Sequence, residues 1–199
     1  MNIREAYEDQ LRREAHVEDP AQLKIIARLE DLAARLHGRN IGRGGWRSWL
    51  DRLRREPDGE RGLYIWGGVG RGKTFLMDLF YDGLEVEAKK RIHFHRMMHD
   101  VHERLNDLND VEDPLDKVAE DIARDVSVLC FDEFFVSEIG DAMILGRLLD
   151  GLFRRGVTLV ATSNIRPDQL YQDGLQRERF LPAITLLETH TEIVEMDSG

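Results

Sequence analysis

A short glycine-rich segment has the composition of a loop that holds phosphate groups. Residues 67–74 read GGVGRGKT, which fits the pattern G-x-x-x-x-G-K-[ST], and the apolar run LYIW precedes them. Glycines let the backbone turn its N–H groups toward a phosphate, and the positive end of a following helix strengthens the attraction. The lysine of such loops reaches the β- and γ-phosphates of a nucleotide, and the hydroxyl ligates Mg²⁺. The predicted nucleotide-binding residues are Gly67, Gly68, Val69, Gly70, Arg71, Gly72, Lys73 and Thr74, with Thr74 also a magnesium ligand.

Two adjacent acids, Asp132 and Glu133, follow a run over residues 126–131 that is apolar except for Ser127. Such a run is typical of a buried parallel strand, and an unpaired charge at its end is costly. In a phosphate-loop fold this strand end lies beside the loop. We therefore expect Asp132 to hold Mg²⁺ through water and Glu133 to polarise the attacking water. The second acid favours an ATPase that activates water over a small-molecule kinase.

Three further polar residues are candidates for contact with the reacting phosphate. Asn164 follows the apolar run over residues 157–162, so it is expected at the same edge of the sheet as the acids. Arg177 and Arg179 lie in the segment GLQRERF, and an arginine supplied by a neighbouring subunit can stabilise charge on the transferred phosphoryl group. Asparagine is also common in turns, and most arginines are solvated surface residues.

Four histidines crowd into a short stretch of the chain, and three of them share a helical spacing that could suit a metal. They are His93, His95, His99 and His102. No cysteine or clearly spaced carboxylate completes such a site, so histidines at a strand-to-helix junction are the preferred interpretation.

Strands and helices alternate after residue 62, which predicts an α/β fold with a parallel sheet and helices on both faces. The strand predictions are 63–66, 91–95, 126–131, 157–162 and 191–196. Helices are expected after the glycine loop, over 97–105, from Pro114, over 139–155 and in pieces to about Leu187. Together with the glycine loop, this order predicts a P-loop NTPase, and the family resemblance given below implies the AAA+ type.

A short helical segment is expected to precede the sheet. Asp19 has the character of a helix N-cap, Pro20 suits the first turn, Gln22 completes a capping box and Gly38 ends the helix. Residues 38–45 are predicted to be a flexible connector, 46–55 a second short helix and 57–59 a turn. The predicted division is a helical N-terminal segment and linker over 1–58 and a P-loop ATPase core over 59–199.

Composition excludes several classes of protein. The 199 residues include 28 basic and 38 acidic side chains, a net charge of −10, which disfavours a nucleic-acid coat or a polybasic membrane binder. Cys130 is the single cysteine, so no intrachain disulfide can form. No apolar run approaches a membrane span and no signal-peptide core is present. A cytoplasmic protein is expected.

The sequence resembles the ZapE family of bacterial cell-division ATPases, which is related to mitochondrial AFG-type ATPases. The resemblance rests on GLYIWGGVGRGKTFLMDLFY, HFHRMMHDVHERL, LCFDEFFVSEIGDAMILGRLL, TSN and LYQDGLQRERFLPAI, in that order. It implies that residues 67–74 are the Walker A loop, Asp132 and Glu133 the Walker B pair, Asn164 a sensor, and Arg177 or Arg179 an arginine finger.

The same resemblance implies cofactors and partners. ATP and Mg²⁺ are expected, together with assembly into a homo-oligomer and action on the tubulin-like division protein FtsZ, whose polymers the family destabilises when ATP is present. Family members continue beyond the end of this chain into a helical lid with a second sensor arginine. The resemblance therefore predicts that this chain is a fragment or a truncated form.

Other functions remain open on the residues alone. An AAA+ loader acting on a nucleic-acid-bound partner such as a helicase would share the loop, the acidic pair and Asn164, although the charge of −10 argues against direct nucleic-acid binding. A GTPase lacks support because no N-K-x-D motif follows the core strands. A truncated module that binds ATP without turnover is the remaining alternative.

Overall fold

The computed structural model describes residues 3–14, 17–42, 59–108 and 110–196. The predicted short helix over 46–55, the end of the connector at 43–45 and the first two residues of the predicted turn at 57–59 lie outside these ranges. The predicted division near residue 58 falls at the edge of one of them and stays a prediction.

The described chain forms a five-stranded sheet in the order β2-β3-β4-β1-β5, with every neighbouring pair parallel. The order places β3 next to β4, and β4 next to β1. The carboxyl ends of these three strands therefore lie along one edge. The strands are β1 Gly62–Trp66, β2 Lys89–His93, β3 Val128–Asp132, β4 Thr158–Ser163 and β5 Thr191–Glu195.

Helices cover both faces of the sheet, as the alternating pattern predicts. On β3, Val128 and Cys130 belong to the apolar core on one face, and Leu129 and Phe131 belong to the core on the other. The first core takes its helical residues from α1, α2 and α3, and the second from α4 to α7. The helices are α1 Ile3–Glu14, α2 Pro20–Gly42, α3 Lys73–Gly83, α4 Phe94–Asp107, α5 Pro114–Asp125, α6 Ile139–Arg154 and α7 Leu181–His190, with 3₁₀ turns at Pro167–Gln169 and Arg177–Arg179.

Helix α2 begins directly after Asp19, where the sequence predicts, but it ends later than predicted. The Ala21 N–H donates to Asp19 Oδ1 at 2.8 Å, which confirms the N-cap. The prediction that Gly38 ends the helix is wrong, because α2 runs through Gly42. No atom lies within 4 Å of a Cβ built at Gly38, and a glycine in an exposed helix costs only about 1 kcal/mol. The longer helix replaces the first part of the predicted connector.

The second strand also differs from its prediction. Alternation suggests residues 91–95, but β2 is Lys89–His93 and α4 begins at Phe94. Pairing with β3 explains the shift, since Lys89 lies opposite Val128 and His93 opposite Asp132. The register brings the end of β2 beside the acidic pair.

Burial keeps the single cysteine unreactive. Cys130 lies inside the sheet with no exposed surface, and burial raises the pKa of its thiol to about 12. The thiol therefore stays neutral at physiological pH. Among the described helices, none combines the length and apolarity needed to cross a membrane.

Candidate functional site

The glycine-rich loop joins β1 to α3. Gly70 and Gly72 have φ angles of 77° and 88°, in the left-handed region that favours glycine, and Gly72 is the N-cap of α3. A Cβ at Gly72 would lie 2.8 Å from Gln22 Nε2. That amide donates to the Arg71 carbonyl at 3.1 Å, so Gln22 ties the first turn of α2 to the loop and does not complete a capping box.

Lys73 points back into the loop. Its side chain is almost buried, and Nζ donates to the carbonyl oxygens of Gly67 and Gly68, both at 2.6 Å. Burial, helped by the nearby charge of Arg71, lowers the pKa of Lys73. The lysine therefore places a desolvated cation where the loop can receive an anion. Phosphate oxygens would be stronger partners for this ammonium than neutral carbonyl groups.

The acid at the end of β3 lies beside the first turns of α3. Asp132 is 6% exposed. Arg91 of β2 bridges it to Asp78, which is one helical turn after Thr74 on α3. Thr74 itself is exposed at the start of α3. A hydroxyl and a carboxylate are hard oxygen donors of the kind that Mg²⁺ prefers, so these residues fit a magnesium ion bound with nucleotide.

Glu133 has a conformation unlike that of its neighbour. Its φ is 54°, and its side chain is 72% exposed. The Glu133 N–H donates to Thr162 Oγ1 at 3.3 Å, and Oε2 lies 4.0 Å from His93 Nδ1. The chain therefore turns sharply after β3, leaving the Asp132 carboxylate buried and the Glu133 carboxylate in solvent at the sheet edge.

Asn164 comes directly after β4, next to the start of the glycine loop. Trp66 and Ser163 are register partners, and the Gly67 N–H donates to the Ser163 carbonyl at 3.3 Å. Asn164 is exposed at this point. Lys73, Asp132, Glu133 and Asn164 thus come from segments that end or begin along one sheet edge, as the sequence predicts.

Two buried hydroxyl side chains in β4, Thr162 and Ser163, organise this edge, and neither is among the residues predicted from the sequence. The Thr162 hydroxyl accepts the Glu133 N–H, and the Thr162 carbonyl accepts the Phe134 N–H at 2.7 Å. Ser163 Oγ donates to the Phe134 carbonyl at 2.7 Å and accepts the Ile165 N–H at 3.1 Å. The signal available in the sequence was the pair of polar residues, Thr162 and Ser163, at the end of a predicted buried strand.

The two candidate arginine fingers differ in their surroundings. Arg177 is partly buried, and its Nη2 donates to the Asp168 carbonyl at 2.7 Å. Its Nε is buried and has no hydrogen-bond partner within the described chain. Arg179 is exposed and donates to the side chain of Gln176 at 3.1 Å. These hydrogen bonds are made to Asp168 and Gln176 and not to the glycine loop.

The four clustered histidines make separate contacts and do not converge on one point. His102 Nε2 is 2.8 Å from Asp141 Oδ1, and His99 Nε2 is 3.4 Å from Glu103 Oε1. The rings of His93 and His95 lie 5.8 Å apart. In the part of the chain that the structure describes, no group of three or more histidine, cysteine or acidic side chains is placed to hold a metal ion.

Comparison with known proteins agrees with the geometry. The family model of the AFG1-like ATPases matches residues 1–199. The cell division protein ZapE of Escherichia coli strain K12 is 60% identical over 139 residues, which cover 70% of this chain and 37% of that protein. The lactation elevated protein 1 homolog B of Danio rerio is 46% identical over 155 residues, covering 72% of this chain and 31% of that protein. The chain spans about a third of these curated relatives.

Solved structures share the fold at lower identity. DnaI covers 90% of this chain and 86% of its own, with a TM-score of 0.61 and 19% identity. The DnaC helicase loader covers 92% and 93%, with a TM-score of 0.58 and 11% identity. These likenesses confirm the P-loop AAA+ fold, and the 60% identity with ZapE confirms the resemblance noted in the sequence. The chain belongs to the AFG1-like ATPase family.

Proposed function

We propose that this chain is the core of a Mg²⁺-dependent ATPase. The observation that carries the proposal is the shared edge of the sheet. The lysine of the glycine loop after β1, the buried Asp132 and the exposed Glu133 at the end of β3 all lie along this edge, with β4 between the two strands. A phosphate-binding loop beside one buried and one solvated carboxylate can hold a metal nucleotide and activate a water molecule.

Each side chain has a role in this proposal. The N–H groups of the loop and Lys73 would bind the phosphates, and Thr74 and Asp132 would hold Mg²⁺, which neutralises charge on the phosphates when bound. Glu133 would accept a proton from the attacking water, since its side chain reaches solvent. Asn164, exposed beside the loop, would orient that water.

The test is ATP hydrolysis measured with and without Mg²⁺ over a range of protein concentrations, with the Glu133→Gln protein as the blank. Turnover that requires Mg²⁺ would support the proposal. Binding of ATP without turnover at every concentration would contradict it and would favour the ATP-binding module. Competition between ATP and GTP in the same assay tests the GTPase alternative.

We also propose that Arg179 acts in a neighbouring subunit, because Arg179 is exposed and Arg177 is partly buried and anchored to the Asp168 carbonyl. Specific activity is then expected to rise with protein concentration. Arg179→Ala should lower turnover by about 10³-fold, the size of an arginine-finger effect. Arg124→Ala, which removes another exposed arginine, should leave turnover unchanged.

Mixing two inactive proteins would locate the arginine. In a mixture of Arg179→Ala and Glu133→Gln, the second protein supplies Arg179 to an intact Glu133 site of the first. Partial recovery of turnover is expected. The Arg177→Ala protein should be active by itself, so it should not depend on mixing with Glu133→Gln. Failure of the Arg179→Ala mixture to recover would place the residue within its own site.

The partner proposed for this ATPase is a cell-division protein, with FtsZ as the candidate. The support is the family resemblance and the name of the E. coli relative, a cell division protein. Sedimentation of FtsZ polymers should fall when the chain and ATP are both present, and should stay unchanged with Glu133→Gln. Equal sedimentation with the active chain would remove FtsZ as the partner. A salt-sensitive shift of single-stranded DNA would favour the loader function instead.

A further inference from the structure

Arg91 lies in the middle of β2, and its side chain is turned into the protein. Its register partner is Cys130, which belongs to the core beneath α1, α2 and α3. Neighbouring residues in register point to the same face of a sheet, so Arg91 is directed toward α3. Its side chain is only 20% exposed. Burial of a guanidinium requires charged or polar partners.

Those partners are two carboxylates. Arg91 Nε donates to Asp132 Oδ2 at 2.6 Å, and Nη2 donates to Asp132 Oδ1 at 3.3 Å. Nη1 donates to Asp78 Oδ1 on α3. Although burial alone would lower it, these two carboxylates raise the pKa of Arg91, so it remains charged. One cation therefore links β2, the end of β3 and α3.

We propose that Arg91 is a positioning residue for magnesium, a proposal that rests on the proposed function. Contacts with both carboxylate oxygens fix the plane of Asp132, which a single point charge would not do. A carboxylate has about four lone-pair sites, so the paired Asp132 can still accept a hydrogen bond from metal-bound water. Asp78 holds the guanidinium from the opposite side, which ties the orientation of Asp132 to the helix that carries Thr74.

A second half-buried arginine provides a matched control. Arg155 pairs with Asp116 through Nη1 to Oδ1 at 2.9 Å and Nη2 to Oδ2 at 2.8 Å, and its side chain is 26% exposed. This pair joins α5 to α6, on the other face of the sheet from α3. Removing Arg155 therefore costs a similar ion pair without touching the candidate metal site.

The experiment measures metal affinity directly. Each protein is saturated with a non-hydrolysable ATP analogue and titrated with Mn²⁺, and the free metal is counted by its EPR signal. Arg91→Met should weaken Mn²⁺ binding by at least about tenfold, as the loss of a partner of a metal ligand does. Arg91→Lys should lose less Mn²⁺ affinity than Arg91→Met, and Arg155→Met should bind Mn²⁺ as tightly as the wild type. Nucleotide affinity in EDTA should be the same in all four proteins.

Melting temperatures separate positioning from stability, since Arg91→Met and Arg155→Met should both unfold at lower temperature. If Arg91→Met does not fold, Asp78→Asn removes only the second anchor and should weaken Mn²⁺ binding by about threefold. Unchanged Mn²⁺ affinity in Arg91→Met would make Arg91 a structural residue only. Tighter Mn²⁺ binding in this variant would mean that the positive charge of Arg91 opposes metal binding at Asp132. Either result overturns the inference and leaves the ATPase proposal intact. Absence of analogue binding by the wild type in EDTA and in Mn²⁺ would overturn the ATPase proposal itself.

Discussion

Replacing Lys73 with alanine is expected to weaken ATP binding by at least about 100-fold, which corresponds to about 2.7 kcal/mol. The lysine is almost buried, and its Nζ lies within 2.6 Å of two loop carbonyl groups. A desolvated ammonium interacts with phosphate more strongly than an exposed one, because the surrounding dielectric is lower. The backbone N–H groups alone would then hold the triphosphate, without a compensating side-chain charge.

The measurement is equilibrium binding of a fluorescent ATP analogue in EDTA, which excludes any effect on the metal. Lys117→Ala is the matched control because Lys117 is a surface lysine paired with Glu120 and Asp121 on α5. That variant should bind the analogue as tightly as the wild type. Thermal unfolding should show that Lys73→Ala is folded. Retained binding by a folded Lys73→Ala protein would contradict the assignment of the glycine loop.

The parts of the fold that depend on local sequence could be predicted. The apolar run over 126–131 identifies a buried strand because both of its faces are covered, and the Asp19 cap follows from residue type alone. In the glycine loop, the single pattern G-x-x-x-x-G-K-[ST] predicts both the backbone conformation and the binding of phosphate. These features need no knowledge of which strands are neighbours.

The parts that depend on distant partners could not be predicted. The contacts of Arg91 require the parallel register of β2 with β3 and the position of α3, and neither is visible in the alternation that defines the strand. The contact of Gln22 with Arg71 spans 49 positions of the chain. The arginines at 177 and 179 are indistinguishable by type, and only the structure separates them, through their burial and the contact of Arg177 with the Asp168 carbonyl.

The end of the first long helix shows a different limit. Glycine is common after a helix, so Gly38 is a reasonable end on sequence grounds. Its intrinsic cost within a helix is only about 1 kcal/mol, so α2 continues through it to Gly42.

Replacing Glu133 with glutamine is expected to lower turnover by about 10²- to 10⁴-fold while leaving ATP affinity within about twofold. Glutamine has the same shape but cannot accept a proton from water. Glu133 makes no deep packing contact that the change would disturb, since its side chain is 72% exposed and its Oε2 lies 4.0 Å from His93 Nδ1. The left-handed backbone is the same for both residues, so the strain at this position does not change.

Single-turnover hydrolysis measured alongside equilibrium binding separates the two effects in the Glu133→Gln protein. Glu138→Gln is the matched control because Glu138 is an exposed acid five residues further on, at the start of α6, with no side-chain capping bond. It should leave both quantities unchanged. Asp132→Asn should behave differently from Glu133→Gln, since it alters the buried carboxylate held by Arg91 and should weaken Mn²⁺ binding. Turnover that survives in Glu133→Gln would assign the activation of water to another residue at this edge, even with the nucleotide site intact.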